Sequence, residues 1–128
     1  MAYNLTKHVA YSFQEALEKT KAALSEEGFG VISEIDLKEK FKEKLNVDFR
    51  EYKILGACNP KLAYQAIEQE DKIGVLLPCN LLVQEHTNGQ VEVTAVNPME
   101  TMSAVNNPEL ESIASEVSEK LRKIIALV

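Results

Sequence analysis

The sequence contains few of the residues on which several common functions depend. Its 128 residues include only two cysteines and two histidines, so a metal site would have few sulfur or nitrogen ligands. Acidic residues outnumber basic ones by 20 to 14, and the net charge of −6 leaves no basic surface for nucleic acid. No segment approaches the ~20 apolar residues of a membrane span, and the first residues lack the apolar core of a signal peptide. We therefore expect a cytoplasmic protein with reduced thiols that binds neither nucleic acid nor membranes.

Two frequent catalytic signatures are also missing. No serine has an identifiable histidine and aspartate partner, so a hydrolase triad has no support. The glycines at Gly28 and Gly30 lack the further glycine and the Lys-Ser/Thr pair of a phosphate-binding loop. The composition, with 45% hydrophobic and 27% charged residues, is that of an ordinary globular protein. At this length we expect one domain that spans residues 1–128.

Hydrophobic periodicity predicts strands that alternate with helices. The predicted strands are residues 3–11, 30–35, 52–57, 73–86 and 90–97, and the predicted helix starts are Ser12, Asp36, Asn59 and Asn107. The strands at 52–57 and 73–86, with a helix between them, would form a βαβ unit whose strands are parallel. The sequence therefore predicts an α+β fold: a single two-layer domain with a mixed β-sheet of about five strands, helices packed on one face, a βαβ unit and a C-terminal β-hairpin.

The two cysteines each precede an asparagine at the predicted end of an apolar run. In a parallel βαβ unit, Cys58 and Cys79 would lie at the same height on their strands. If Asn88 and Gly89 are the two turn residues of the hairpin, the register also sets Asn80 opposite Asn97. The sequence therefore predicts one corner of the sheet that gathers five ligand-binding residues: Cys58, Asn59, Cys79, Asn80 and Asn97.

Either cysteine could be reactive or only packed. Cys58 comes directly before a predicted helix cap, where free N–H groups and the helix dipole favour a thiolate. Buried cysteines, however, often serve as small hydrophobic side chains, and Cys79 lies within an apolar run. Asn59-Pro60 needs no functional explanation, because Asn-Pro also occurs at Asn97-Pro98 and Asn107-Pro108 and is a common way to begin a helix.

No metal site or disulfide is expected. A closed zinc site needs four ligands, and the only nitrogen candidates, His8 and His86, do not have ligand spacing. The remaining candidate metal ligands are therefore Cys58 and Cys79, which could bind a soft ion such as copper(I) with help from Met99 or Met102. A disulfide is disfavoured by a reducing compartment and by the absence of Cys-x-x-Cys spacing.

Several segments, in order along nearly the whole chain, resemble a known prokaryotic family, the domain of unknown function 302. They are Phe13-Gln14-Glu15-Ala16, Glu26-Glu27-Gly28-Phe29-Gly30-Val31, Ile54-Leu55-Gly56-Ala57-Cys58-Asn59-Pro60, Leu76-Leu77-Pro78-Cys79-Asn80 and Asn107-Pro108-Glu109-Leu110. The resemblance implies a compact α+β domain with a mixed sheet that is often a dimer. It implies no activity, substrate, cofactor or catalytic residue.

The sequence leaves three functional hypotheses. The first is a small binding module rather than an enzyme, with the Cys58/Cys79 corner as its site and a small molecule or a soft metal as its ligand. The second is a thiol-dependent enzyme or sulfur carrier that uses Cys58 as its nucleophile. The third is a structural homodimer with inert, buried thiols. Neither a ligand nor a cofactor can be named from these residues.

Overall fold

The computed structural model describes residues 2–128, which form a five-stranded sheet with helices on one side. The strands are β1 (Asn4–Val9), β2 (Gly30–Asp36), β3 (Tyr52–Cys58), β4 (Cys79–Glu85) and β5 (Val91–Val96), in the order β1-β5-β4-β3-β2. The helices are α1 (Phe13–Glu26), α2 (Leu37–Leu45), α3 (Pro60–Gln69), α4 (Pro98–Thr101) and α5 (Pro108–Leu127). Two short 3-10 helices span Asp71–Leu76 and Ser103–Val105. The prediction of an α+β fold is confirmed.

Side-chain caps set the helix starts. Each capping oxygen accepts a hydrogen bond from a backbone N–H in the first turn, which satisfies a donor that the helix itself leaves free. The capping residues of α1 to α5 are Ser12, Asp36, Asn59, Asn97 and Asn107. The four helix starts predicted from sequence are thus confirmed, and α4 begins in the same way.

The main core lies between the sheet and the two long helices. Leu17 of α1 and Leu121 of α5 are fully buried in one cluster with Leu55 of β3 and Leu81 of the central strand β4. A second, smaller core lies around Ile73, which packs with Met102 and with residues of α3 and α5. The two cores divide the helical layer into two parts.

The predicted parallel βαβ unit is wrong. Strand β3 pairs antiparallel with β4, as do all neighbouring strands of the sheet over the described residues, so the sheet is not mixed. Ala57 near the end of β3 pairs with Cys79 at the start of β4. The chain therefore leaves and re-enters the sheet at the same end, and the connection through α3 is a return rather than a crossover.

The predicted strand over residues 73–86 is half right. Its second part is β4, but its first part is the 3-10 helix Asp71–Leu76. Ile73 is buried in the smaller core, whereas Val75 is 86% exposed. Pro78 precedes β4 directly and follows a cis peptide bond. Because proline lacks the N–H that a central strand needs, the strand begins only after it.

The hairpin of β4 and β5 is confirmed, but its predicted register is off by one residue. Glu85 pairs with Val91, and the loop has three residues, 87–89, rather than two. The Gly89 N–H donates to the His86 carbonyl, and Gly89 has a φ of +88°. This is a turn followed by one left-handed residue, a frequent three-residue hairpin connection. The extra loop residue shifts every pair in the ladder, so Asn80 does not face Asn97.

Candidate functional site

Cys58 and Cys79 stand at the same end of neighbouring strands, but they do not form a pair. Cys58 is the last residue of β3, and the ladder partner of Cys79 is Ala57. Because consecutive residues of a strand point to opposite faces, this offset separates the two thiols. Both cysteines are free, and they are not close to each other. The prediction of a corner where the two thiols meet is therefore wrong, because Cys79 is in register with Ala57 and not with Cys58.

The two thiols have different environments. Cys79 belongs to the main core, and its side chain is only 7% exposed. Burial, with a smaller contribution from charge on Cys58, raises the pKa of Cys79 to about 11. The folded protein thus keeps Cys79 as a neutral thiol at physiological pH. Cys58 is half-buried and directly precedes the cap of α3.

The three asparagines of the predicted site have separate roles. Asn59 caps α3, and its side-chain amide donates to the Glu27 carbonyl 3.4 Å away. Asn97 is 2% exposed, and its amide oxygen accepts from the Ser118 hydroxyl at 3.0 Å. Asn80 is exposed on β4. Of the five predicted residues, Cys58, Asn59 and Cys79 line one cavity, although the two thiols are not close to each other within it.

This apolar cavity of about 280 Å³ lies between α3, α5 and the end of the sheet. We call it the Cys58 cavity. Its lining residues are Phe29, Ile32, Ala57, Cys58, Asn59, Leu62, Ala63, Ala66, Ile67, Gly74, Leu77, Pro78, Cys79, Met102, Ile113 and Val117. None of them is charged, and the amide of Asn59 is the only strongly polar side chain among them.

The Cys58 cavity has a buried floor and an exposed mouth. Ala57, Leu62 and Ala66 are each at most 3% exposed, so they lie at the floor. Ile32 is 65% exposed and Ile67 is 47% exposed, so they lie at the mouth. Ile67 therefore faces a space that no other part of the described chain fills.

Small side chains create this cavity. Ala57, Ala63, Ala66 and Gly74 line it from three different segments, where larger residues would close the gap between the two cores. The sequence carries a partial signal, since the inner face of α3 alternates Leu62 with alanines. That signal could not be interpreted without the positions of α5 and of the 3-10 helix Asp71–Leu76.

A second cavity, of about 240 Å³, lies on the other side of residues 77–79. We call it the Val75 cavity. Its lining residues are Val75, Leu76, Leu77, Pro78, Cys79, Asn80, Val96, Pro98, Thr101 and Met102. Again none of them is charged. It shares Leu77, Pro78, Cys79 and Met102 with the Cys58 cavity.

A polar network occupies the face of the sheet opposite α1 and α5. Glu92 of β5 contacts both histidines of the chain, with His8 Nε2 at 2.8 Å and His86 Nε2 at 3.3 Å. The Gln84 amide donates to the same carboxylate at 2.9 Å, and Arg50 donates to Gln84. Across residues 2–128, no group of three histidine, cysteine or acidic side chains is arranged to hold a metal ion.

The sequence matches the model of a family described as domain of unknown function DUF302 over residues 5–128. Among solved structures, an uncharacterized conserved DUF302 protein from Bacillus stearothermophilus is similar, with a TM-score of 0.92. The two sequences are 29% identical, and the similarity covers 98% of each chain. No curated protein matches this sequence. Over the described residues, every helix is too short or too polar to cross a bilayer.

Proposed function

The chain belongs to the DUF302 family, and we propose that it is a binding module whose Cys58 cavity holds a small, neutral, apolar molecule. The observation that carries this proposal is an apolar cavity of about 280 Å³ with a buried floor and an open mouth. Ligand pockets are typically concave and mostly apolar, with a few polar groups that orient the ligand. The Asn59 amide and the two thiols are the groups available for that role here.

The size of the cavity limits the ligand. An engineered protein cavity of about 150 Å³ binds benzene, which corresponds to roughly 25 Å³ for each carbon atom. By that measure the Cys58 cavity accommodates a molecule of about ten to eleven non-hydrogen atoms. This is smaller than a nucleotide or a typical cofactor, so the proposal is restricted to small molecules.

The charge of the lining limits the ligand further. No charged side chain lines the cavity, although the chain as a whole has a net charge of −6. An ion placed there would lose its hydration and find no partner of opposite charge, which costs several kcal/mol or more. We therefore infer that the bound part of the ligand is uncharged.

Naphthalene, with ten carbons and no charge, is a suitable probe. Because the chain contains no tryptophan, naphthalene fluorescence anisotropy can report binding without interference from indole emission. We expect saturable binding to the wild type. The Ala63→Leu variant places a larger side chain in the cavity and should weaken binding at least tenfold, whereas Ala22→Leu on the exposed face of α1 should not. The melting temperature of each variant checks that it folds.

Two results would contradict this proposal. One is the absence of saturable naphthalene binding to the wild type. The other is equal weakening by Ala63→Leu and Ala22→Leu, which would place the probe on the general surface of the protein.

A second candidate function, thiol chemistry at Cys58, is favoured by the half-buried position of this residue beside the first turn of α3. It corresponds to a thiol-dependent enzyme or a sulfur carrier. The test is the rate of iodoacetamide alkylation at pH 7. A Cys58 that reacts at least ten times faster than a free cysteine thiol supports this function, and a slower Cys58 contradicts it.

A third candidate, assembly into a homodimer, is favoured by an apolar row on the open face of the sheet. Ile35, Ile54 and Leu82 lie opposite one another on three strands, and Ile35 is 42% exposed. A two-fold axis along this row would bring Ile54 against its own copy. Sedimentation equilibrium should show a wild-type dimer that Ile54→Lys dissociates and Ala22→Lys does not. A monomeric wild type would exclude this assembly.

A further inference from the structure

We propose that the Cys58 cavity and the Val75 cavity are two halves of one channel for an unbranched aliphatic chain, and that Met102 is its gate. This inference rests on the proposed function, because it names the class of ligand that the same site would take. It begins from the wall between the cavities, which consists of Leu77, Pro78, Cys79 and Met102.

Two members of this wall are held in place. Cys79 is the first residue of β4 and pairs with Ala57. Pro78 packs against β3 so closely that a Cβ atom on Gly56 would lie 2.8 Å from its Cγ. Neither residue can move without disturbing the sheet, so an opening between the cavities has to come from the side chains of Leu77 or Met102.

Met102 has both the flexibility and the space to move. A methionine side chain is unbranched and adapts readily to its surroundings. Met102 follows α4 directly, lies outside the strands of the sheet, and is 9% exposed. It also lines a third cavity of about 140 Å³, between Met99 and Ala114, which lies beside the other two. Rotation of the Met102 side chain toward this third cavity would join the first two.

The chemistry of the joined channel selects a neutral chain. No charged residue lines either half. The Val75 cavity adds two polar side chains, Asn80 and Thr101, of which Asn80 is exposed. A hydroxyl at one end of an aliphatic chain could form hydrogen bonds there while the rest of the chain lies in the Cys58 cavity. Long-chain alcohols are therefore the simplest ligands of this class.

Chain length distinguishes one channel from two separate cavities. At roughly 25 Å³ for each carbon, the Cys58 cavity alone holds about ten carbons and the joined channel about twenty. Each buried methylene increases affinity about fourfold. If the cavities join, affinity should continue to rise beyond ten carbons. If they do not join, the rise should stop there.

The experiment is displacement of naphthalene from the wild type and its variants by n-alcohols of six to fourteen carbons, with bound and free naphthalene separated by equilibrium dialysis so that a tryptophan in a variant does not interfere. We expect affinity to rise about fourfold for each methylene up to tetradecanol. Met102→Trp should fill the passage between the cavities, so that the affinity of this variant stops rising near ten carbons. Its affinity for hexanol should stay within about twofold of the wild-type value. Met102→Ala should keep the full rise, which provides a second variant if Met102→Trp does not fold. Ala22→Trp, at an exposed position of α1 outside all three cavities, is the matched control and should behave as the wild type.

The outcomes separate this inference from the proposed function. A wild-type rise that stops near ten carbons overturns the channel and leaves the Cys58 cavity as a site for small ligands. If affinity keeps rising beyond ten carbons in both the wild type and Met102→Trp, Met102 is not the gate. If neither naphthalene nor hexanol binds the wild type, both proposals are wrong.

Discussion

Cys79 pairs with Ala57, and not with Cys58, across the antiparallel ladder of β3 and β4. This one-residue offset explains why two Cys-Asn motifs in one small chain do not place their thiols side by side. It places Cys79 in the main core and leaves Cys58 half-buried at the start of α3. What the two thiols share is a position on the wall of the Cys58 cavity.

The buried thiol predicts a loss of stability in alkali. Burial raises the pKa of Cys79 from 9.0 to about 11, so between these values the unfolded chain loses this proton while the folded protein keeps it. The free energy of unfolding should therefore fall as the pH rises from 9 to 11, by on the order of 2–3 kcal/mol in total. Urea denaturation across this range measures the slope. Cys79→Ala should remove this component and Cys58→Ala should retain it; equal slopes in both variants would refute the assignment.

Gly56 is predicted to tolerate no side chain. A Cβ atom there would lie 2.8 Å from Pro78 Cγ and would overlap Ser33 Oγ, and the proline ring cannot rotate away. We expect Gly56→Ala to lower the free energy of unfolding by about 1–3 kcal/mol.

Gly30 provides the matched control for Gly56, because it is also a strand glycine but has no atom within 4 Å of its Cβ position. Gly30→Ala should leave stability unchanged or raise it by up to about 1 kcal/mol. Chemical denaturation of both variants gives the comparison. Similar stabilities would show that Pro78 can move away from β3, which would also weaken the argument for a fixed channel wall.

Asn97 is predicted to be structural. Its buried amide oxygen caps α4 and accepts from the Ser118 hydroxyl, and its amide nitrogen donates to the Ala2 carbonyl. Asn97→Ala should cost about 1–3 kcal/mol of unfolding free energy, because it leaves these groups without a partner. Asn80→Ala, at an exposed position, should change stability by no more than about 0.5 kcal/mol. An Asn97→Ala protein as stable as Asn80→Ala would contradict the structural role.

Glu34 is predicted to contribute a small acid-sensitive stabilisation. Its hydrogen bond from Lys21 at 2.7 Å, opposed by partial burial and reinforced by Lys53 at 3.2 Å, lowers the pKa of its carboxyl group. This contribution is present above pH 4.5 and is lost as the pH falls through the lowered pKa. All three side chains are partly exposed, so Glu34→Gln should cost well under 1 kcal/mol at pH 7. The melting temperature of Glu34→Gln should lie below that of the wild type at pH 7 and should equal it at pH 3. A difference between the two proteins that persists at pH 3 would disprove this origin.

Much of the local structure could be predicted from the sequence. The starts of four helices followed from Ser12, Asp36, Asn59 and Asn107, because a capping side chain acts within a single turn. The hairpin near Gly89 was also predicted, since its turn depends only on a few adjacent residues. These signals, together with periodicity, were sufficient for the α+β class.

The failed predictions concern relationships between distant residues. Ile73 has the same local pattern whether it is part of a strand or the anchor of a 3-10 helix. Its burial against Met102 and α5 selects the helix. One extra loop residue at the hairpin displaced the predicted partner of Asn80, because strand register transmits a local shift along the whole ladder.

By itself, the sequence determined where the helices begin, where the chain turns and that the fold is α+β, because those signals depend on neighbouring residues. Only the tertiary structure decided that β3 and β4 are antiparallel, that the cysteines stand apart and that small residues of separate segments enclose an apolar cavity. A cavity is the space left between packed elements, and its existence depends on how several distant side chains fill, or fail to fill, the same volume.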